Sequence, residues 1–156
     1  MMRRSDREIL DRARIDAVIR ACAVCRLGVI SDGEPYVVPL SFGYDGMAVY
    51  LHMAGSGRKL EALRREETVC LEWDVPGDVI RGTEACGWGL RYASVIAWGR
   101  PKVLTDPEAR QAGLNHIMAH YAPDHAGEPW TYDPARLART VVVRIPLERV
   151  TGKGRD

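Results

Sequence analysis

The feature that most constrains this chain is a strand-like segment followed by a glycine-rich turn and two adjacent cations. The segment reads Tyr50-Leu51-His52-Met53-Ala54-Gly55-Ser56-Gly57-Arg58-Lys59-Leu60. Because glycine lets the backbone approach a ligand closely and a helix start presents free N–H groups, this turn favours an anion, most naturally a phosphate. It lacks the glycine spacing of a Walker loop and of a dinucleotide fingerprint. On local chemistry alone, an ordinary strand–helix turn with solvated cations explains it equally well.

The composition limits the class of protein. The chain has 156 residues, 46% of them hydrophobic and 28% charged, which suits a single globular domain over 1–156 with a real core. A formal net charge of +1 does not provide the dense basic face that nucleic acid requires. The sequence also lacks an apolar run near the roughly 20 residues that cross a bilayer, and an apolar signal-peptide core. We therefore expect a cytoplasmic protein that binds neither nucleic acid nor membrane.

Hydrophobic periodicity predicts a mainly β fold with added α-helices. A capping box at Ser5–Glu8 and apolar residues at helical spacing predict a helix over about 6–20. A barrel over about 23–150 follows, with six strands predicted at 23–30, 36–42, 47–52, 68–73, 91–103 and 140–150. The first three of these strands form an antiparallel meander. A second long helix begins near Asp106-Pro107. Irregular regions are expected at 74–89 and 121–134, and a short tail at 151–155. This pattern indicates a six-stranded antiparallel β-barrel.

The cysteines and two of the histidines do not predict a metal site. The chain has four cysteines, Cys22, Cys25, Cys70 and Cys86, which we expect to be reduced thiols. Cys22 and Cys25 lack a second ligand pair at zinc-site spacing, so buried apolar thiols are the better interpretation. His116 and His120 lie one turn apart on a helix but lack the glutamate of the zinc-protease motif.

Three further residues have an uncertain role when taken alone. Pro39 cannot donate to a β-ladder, which indicates an edge strand, a bulge or a functional interruption. His52 ends the third strand, and its significance depends on a cofactor lying beside it. Ser94 is not in a Gly-x-Ser-x-Gly context, so a hydrolase is not supported.

Four motifs, in the same order along the chain, resemble the nitroimidazole-resistance (Nim) family. They occupy residues 35–44, 49–59, 86–99 and 150–153. This family belongs to the pyridoxamine 5′-phosphate oxidase-like, FMN-binding split-barrel proteins. The resemblance runs from about residue 5 to 153, which is nearly the whole chain.

The resemblance implies a six-stranded split barrel that forms a homodimer with two flavin sites at the subunit interface. The implied cofactor is FMN, while relatives use FAD, a deazaflavin or haem. The implied cofactor-binding positions in this sequence are Val38, Pro39, Leu40, Ser41, His52, Ala54, Gly57, Arg58, Lys59 and Ser94. Of these, residues 38–41 would lie along the isoalloxazine edge through backbone groups, and residues 57–59 would hold the phosphate. Ser94 would contribute from a neighbouring region of the barrel or from the partner chain.

The implied activity is a flavin-dependent oxidoreductase that passes electrons from a reduced nicotinamide to a small acceptor, such as a nitroaromatic. His52 corresponds to the family's active-site histidine and would donate a proton or orient the acceptor. A different interpretation is a flavin- or haem-binding protein for sensing or storage, without turnover. Pyridoxamine phosphate oxidation itself has less support, because the residues near the C-terminus do not match that enzyme's substrate-phosphate site.

Overall fold

The computed structural model describes residues 4–125 and 129–155. The helices are α1 (Arg12–Ala21), α2 (Arg58–Leu63), α3 (Pro107–Tyr121) and α4 (Pro134–Arg139). The strands are β1 (Glu8–Ile9), β2 (Cys25–Ser31), β3 (Glu34–Leu40), β4 (Gly43–Tyr44), β5 (Ala48–Ala54), β6 (Val69–Ile80), β7 (Gly89–Gly99), β8 (Lys102–Leu104), β9 (Thr140–Pro146) and β10 (Arg149–Arg155). Short 3-10 turns lie at Ser5–Arg7, Ala85–Gly87 and Pro123–His125. The ends of the domain predicted over 1–156, and residues 126–128 of the predicted irregular region, fall outside the described residues.

The strands form two antiparallel sheets. One sheet has the order β1-β10-β7-β6-β2-β3, and the other has the order β4-β5-β9-β8. The chain passes from the first sheet to the second after Gly99, where a Cβ would lie 1.8 Å from the carbonyl oxygen of Pro146. Only glycine allows the two strands to approach so closely. The predicted class, mainly β with added helices, is confirmed. No helix in the described part of the chain is long and apolar enough to cross a membrane.

The first predicted helix is too long at its start. Helix α1 begins after Asp11, whose carboxylate accepts the N–H of Ala13 at 3.0 Å, so the capping box predicted at Ser5–Glu8 is wrong. Ile9 instead belongs to β1 and pairs with Gly152 of β10. The sequence pattern misled because Ile9 is buried, as a helical residue there would be, but it is buried as part of a strand.

The predicted meander holds only for its first hairpin. Strands β2 and β3 pair through a two-residue turn in which Asp32 and Gly33 have φ of 55° and 80°, the geometry of a type I′ turn. The next long strand, β5, joins the other sheet and pairs with β9. Strand β3 is therefore the edge of the six-stranded sheet, and the edge-strand interpretation of Pro39 is confirmed.

Within residues 4–125 and 129–155 the chain forms ten strands, where the sequence predicted six. Two of the predicted strands are each divided between the sheets, as β7 with β8 and as β9 with β10, and the two-residue strands β1 and β4 are additional. Strand β6 continues to Ile80 and pairs with β7, which shortens the predicted irregular region. The predicted tail at 151–155 is wrong, because it forms most of β10. The alternation of buried and half-buried positions in β10 was not visible in the sequence, because glycines occupy the buried positions. At Gly152 a Cβ would lie 2.9 Å from the side chain of Ile9.

The side chains of β5 alternate between two hydrophobic cores. Val49, Leu51 and Met53 face the main core, which fills the space between the sheets. Ala48 and Tyr50 face a smaller core formed with α3 and β9, where the other buried members are Leu114, Ile117 and Val142. The same alternation brings His52 and Ala54, both exposed, to the side of the smaller core. Strand β5 therefore carries His52 to a surface that the helices α3 and α4 border.

Candidate functional site

His52 lies at the wall of a cavity that helix α4 borders. The cavity has a volume of about 350 Å³. It is lined by His52, Leu114, Thr131, Tyr132, Asp133, Arg136, Leu137 and Thr140. A second opening of about 460 Å³ adjoins it, sharing His52, Arg136 and Thr140 and adding Met53, Ala54 and Arg139. The sequence did not predict α4, which begins at the last residue of the predicted irregular region and ends just before the last predicted strand. The Asp133-Pro134 pair, a cap residue followed by proline, was the signal that could have revealed it.

Helix α4 is held in place by five side-chain hydrogen bonds. The Asp133 carboxylate caps the helix by accepting the N–H groups of Ala135 and Arg136. The hydroxyl of Tyr132 donates to Asn115 Oδ1 of α3 at 2.7 Å. Arg110, also on α3, donates to the carbonyl of Thr140 at 2.7 Å and to the carbonyl of Leu137. These bonds satisfy carbonyls at the end of α4 and fix the helix over β5.

The imidazole of His52 is biased toward its neutral form. The pKa of His52 is lowered from the ordinary value of 6.5, mainly because the surrounding protein displaces part of its water and also because Lys59 is positively charged. His52 remains exposed, so a ligand can reach it. A neutral imidazole at pH 7 can donate one hydrogen bond and accept another.

The glycine-rich turn after β5 places a partly buried cation next to His52. Gly57 has φ 124° and ψ 160°, a backbone conformation that is essentially restricted to glycine. Helix α2 is only six residues long, so its N-terminus adds little to anion binding, contrary to the expectation from sequence. Lys59 is half-buried, and burial lowers its pKa. None of the described carboxylates lies within ion-pair distance of Lys59. A partly buried cation of this kind is stabilised by a bound anion.

Arg58 is engaged by the β2–β3 hairpin. Its Nε donates to the hydroxyl of Ser31 at 3.0 Å and its Nη2 donates to the carbonyl of Ser31 at 3.3 Å. The guanidinium carbon lies 4.5 Å from the centre of the Tyr36 ring, and Glu34 is 3.7 Å away. Ser31 is buried, and Arg58 donates hydrogen bonds to both its hydroxyl and its carbonyl. Arg58 therefore has a structural function that the sequence did not indicate.

The edge strand β3 contributes different backbone groups from alternate residues. Residues on either side of a two-residue turn exchange hydrogen bonds, so Val38 and Leu40 direct their backbone groups to β2. The intervening residue Pro39 directs its carbonyl outward, and Ser41 follows the end of the strand. Of the four backbone positions predicted along a flavin edge, Pro39 and Ser41 are therefore outside the β2–β3 ladder.

Lys59 connects these parts of the site. Its charge acts on both His52 and Cys25, and Cys25 pairs with Leu40 at the end of β3. Burial raises the pKa of Cys25 to about 12, so its thiol stays neutral, as a buried apolar thiol should. The structure therefore brings His52, Lys59 and the end of β3 into one neighbourhood.

Ser94 lies elsewhere in the chain. It is opposite Asp74 and Lys153 on the outer face of the six-stranded sheet, and its hydroxyl donates to the Lys153 carbonyl at 3.4 Å. None of its contacts among the described residues joins it to His52 or Lys59. Its predicted function from the partner chain stays a prediction.

The two helical histidines pack against the fold. The ring of His116 stacks on Tyr50 with centroids 4.7 Å apart, and His120 Nε2 lies 2.9 Å from the carbonyl oxygen of Cys22. Within residues 4–125 and 129–155, the His, Cys, Asp and Glu side chains do not form a cluster of three that could hold a metal ion.

The fold and these residues define an antiparallel β protein with a cavity and nearby cations beside an exposed histidine. The family model for pyridoxamine 5′-phosphate oxidase matches residues 11–154, so the chain belongs to that family. No curated protein matches the sequence significantly.

Solved structures of the same fold confirm the resemblance to the nitroimidazole-resistance group. A candidate 5-nitroimidazole antibiotic resistance protein from Bacteroides thetaiotaomicron VPI-5482 is 29% identical, with a TM-score of 0.82, and the match covers 94% of this chain and 86% of that one. A FAD-binding protein from Mesorhizobium loti is 27% identical, with a TM-score of 0.68, and the match covers 94% and 96% of the two chains. A FAD- and haem-binding protein from Mycobacterium smegmatis shares the fold, with 18% identity, a TM-score of 0.88 and coverage of 96% and 74%. The split-barrel prediction is confirmed by these neighbours.

Proposed function

We propose that this protein binds FMN and uses it to transfer electrons from a reduced nicotinamide to a small acceptor such as a nitroaromatic. The observation that carries the proposal is Lys59, a partly buried cation that has no carboxylate partner among the described residues. It follows the strained Gly57 and lies near His52. Membership of a family with flavin-binding structural neighbours supports the same conclusion.

The residues present are compatible with a flavin phosphate and with the edge of a flavin ring. Lys59 would bind the phosphate, and Gly57 leaves open space because a Cβ there would meet no atom within 4 Å. Arg58, which begins α2 and is bonded to the β2–β3 hairpin, would add positive charge through the part of its guanidinium that Ser31 does not engage. The outward carbonyl of Pro39 and the groups of Ser41 would bond the ring edge, while Ala54 would line the approach. The bound flavin would supply the electron transfer itself.

His52 would orient or protonate the acceptor. Its lowered pKa keeps it neutral at pH 7, so it can donate one N–H and then regain a proton from solvent. Partial burial is the main cause of this lowered pKa and the charge of Lys59 adds to it, which links the phosphate end of the site to the acceptor end.

The outer face of the six-stranded sheet would form a homodimer interface. By register, Ile30, Val37 and Ile96 point to this face, and their exposed fractions are 52%, 62% and 37%. Exposed apolar side chains gathered on one sheet face are typical of association surfaces. Ser94 lies on the same face, which agrees with its predicted contribution across the interface. A solution mass near twice 17.4 kDa by light scattering supports the dimer, and a monomer mass contradicts it.

The proposal is tested by the absorbance spectrum of the purified protein and the mass of the ligand it releases. We expect the absorbance of an oxidised flavin, the mass of FMN, and bleaching by a reduced nicotinamide under anaerobic conditions. A colourless protein that takes up none of FMN, FAD or a deazaflavin contradicts the proposal. His52→Ala should slow acceptor reduction while leaving flavin uptake intact.

A flavin- or haem-binding protein without turnover is the second candidate. The neutral state of His52 favours it, because neutral imidazole is the form that ligates haem iron. It predicts a Soret band, or a bound flavin that nicotinamides reduce poorly. It also predicts that His52→Ala abolishes haem uptake, which the flavin proposal does not.

A further inference from the structure

We infer that the cavity between β5 and α4 binds an oxyanion, the carboxylate or phosphate of a small ligand, through Arg136 and Arg139. Arg136 lines both of the adjoining openings that share His52, and Arg139 lines the second of them. The inference extends the proposed function, since such a ligand would meet the flavin beside His52. Anion binding itself does not require the flavin, so the two can be tested separately.

The charges around the cavity are unbalanced. Among the described carboxylates, none lies within ion-pair distance of Arg136 or Arg139, whose one recorded side-chain bond is from Arg139 Nε to the Ala135 carbonyl. The nearest acid on the lining is Asp133, and its carboxylate already accepts two N–H groups as the cap of α4. The two arginines therefore line these adjoining openings without a described anionic partner, and Lys59 is a third cation close to His52.

The remaining lining groups select a ligand with an apolar body. Leu114 and Leu137 form an apolar part of the wall. The hydroxyls of Tyr132 and Thr140 donate to Asn115 and to the Arg136 carbonyl, so they are already engaged. The charged donors that remain are the guanidinium of Arg136 and the two terminal nitrogens of Arg139, beside the imidazole of His52 and the hydroxyl of Thr131.

A guanidinium has a planar fork that matches a carboxylate or phosphate in two parallel hydrogen bonds. The cavity volume of about 350 Å³ accommodates a small carboxylate of the aromatic or aliphatic kind. The same fork would also accept a phosphate of an extended flavin such as FAD. Both a carboxylate acceptor and FAD would present an oxyanion to the arginines. The two cases differ in whether the acceptor or FAD binds more weakly when the arginines are removed.

The wall that carries these arginines is rigid enough to form a site. Arg110 and the Tyr132–Asn115 bond fix α4 to α3, and Thr140 continues directly into β9. The two arginines therefore extend from an anchored helix, which limits the conformational entropy lost when a ligand binds.

The test compares Arg136→Gln/Arg139→Gln with a matched control, Arg81→Gln/Arg100→Gln. The control removes the same charge from two exposed arginines that line neither opening. Calorimetric titration of the protein as purified is made with inorganic pyrophosphate, with 4-nitrobenzoate and with the neutral methyl ester of 4-nitrobenzoate. We expect the dissociation constants of both anions to rise at least about tenfold in the cavity variant. The neutral ester and the control variant should show no such change. The single variant Arg136→Gln serves if the double variant does not fold.

The source of the oxyanion follows from two further readouts. If the cavity variant raises the KM for 4-nitrobenzoate and leaves the FAD-to-FMN affinity ratio unchanged, the oxyanion belongs to the acceptor. If the ratio falls instead, the oxyanion belongs to the cofactor; either result supports the inference. Equal anion affinities in wild type, cavity variant and control overturn it. The protein could bind pyrophosphate through both arginines and yet take up no flavin. That result would support this inference and contradict the proposed function.

Discussion

Two basic segments of this protein carry similar charge but differ in what their cations contact. In the turn after β5, Arg58 is held by Ser31 and by the ring of Tyr36, and only Lys59 is without a described acidic partner. On α4, neither Arg136 nor Arg139 has a described acidic partner, and it is Arg110 on the neighbouring helix that anchors the fold. The comparison teaches that adjacent cations in a sequence can have different functions. One arginine supports a hairpin, and others remain available for a ligand.

The largest stability difference should appear between Arg110 and Arg136. Arg110→Gln removes charge-assisted hydrogen bonds to two carbonyls at the end of α4, so the free energy of unfolding should fall by about 2 kcal/mol. Arg136→Gln should change it by less than about 0.5 kcal/mol, since its side chain is exposed. Urea denaturation of the two variants measures both values. Equal effects would show that α4 is not anchored as described.

The turn should be more sensitive at Gly57 than at Gly55. Gly57→Ala forces alanine into φ 124° and should lower the free energy of unfolding by about 1.5 kcal/mol. No atom lies within 4 Å of the new Cβ, so the cost is that of the backbone alone. Gly55→Ala is the control, because Gly55 does not have a positive φ and a Cβ there would lie 4.0 Å from its nearest atom, the carbonyl oxygen of Arg139. Similar losses at both positions would contradict the assigned geometry.

The bond between Arg58 and Ser31 should appear as an energetic coupling. Ser31→Ala and Arg58→Gln should each lower the free energy of unfolding by about 1 kcal/mol, because each removes the same hydrogen bond. The double variant should lose clearly less than the sum of the two. Urea denaturation measures all three values. Additive effects would mean that the Arg58 side chain does not bond to the Ser31 hydroxyl.

The smallest effect concerns the protonation of His52. Nuclear magnetic resonance titration should give a pKa below 6.5, and Lys59→Gln should raise it because one of its two causes is removed. Since the unfolded chain binds this proton more readily than the folded one, the stability contributed by neutral His52 is present above pH 6.5 and is lost as the pH falls through the folded pKa. His52→Gln should therefore weaken the loss of stability between pH 7 and 5. A pKa above 6.5 would require an acidic neighbour in place of Lys59.

Local sequence patterns predicted those features that local interactions determine. The hairpin of β2 and β3, the start of α3 at Asp106 and the edge position that was one of three interpretations of Pro39 each depend on residues close in the chain. The family resemblance correctly gave the overall fold, which periodicity alone described only as a six-stranded barrel.

Contacts between distant residues could not be predicted in the same way. The burial of Ile9 as a strand depends on Gly152, which is far along the chain. The engagement of Arg58 depends on the hairpin formed by β2 and β3. Likewise, the place of Arg136 beside His52 depends on a hydrogen bond between α3 and the segment that leads into α4, so the motif containing His52 gave no indication of the helix opposite it.

The most direct test of the central claim compares the binding of FMN and riboflavin, which lacks the phosphate, to wild type and to Lys59→Gln. If Lys59 holds the flavin phosphate, wild type should bind FMN at least about tenfold more tightly than riboflavin, and Lys59→Gln should remove most of that difference. Riboflavin affinity itself should change little. Equal affinity of wild type for FMN and riboflavin, or an FMN preference that survives Lys59→Gln, would contradict the account.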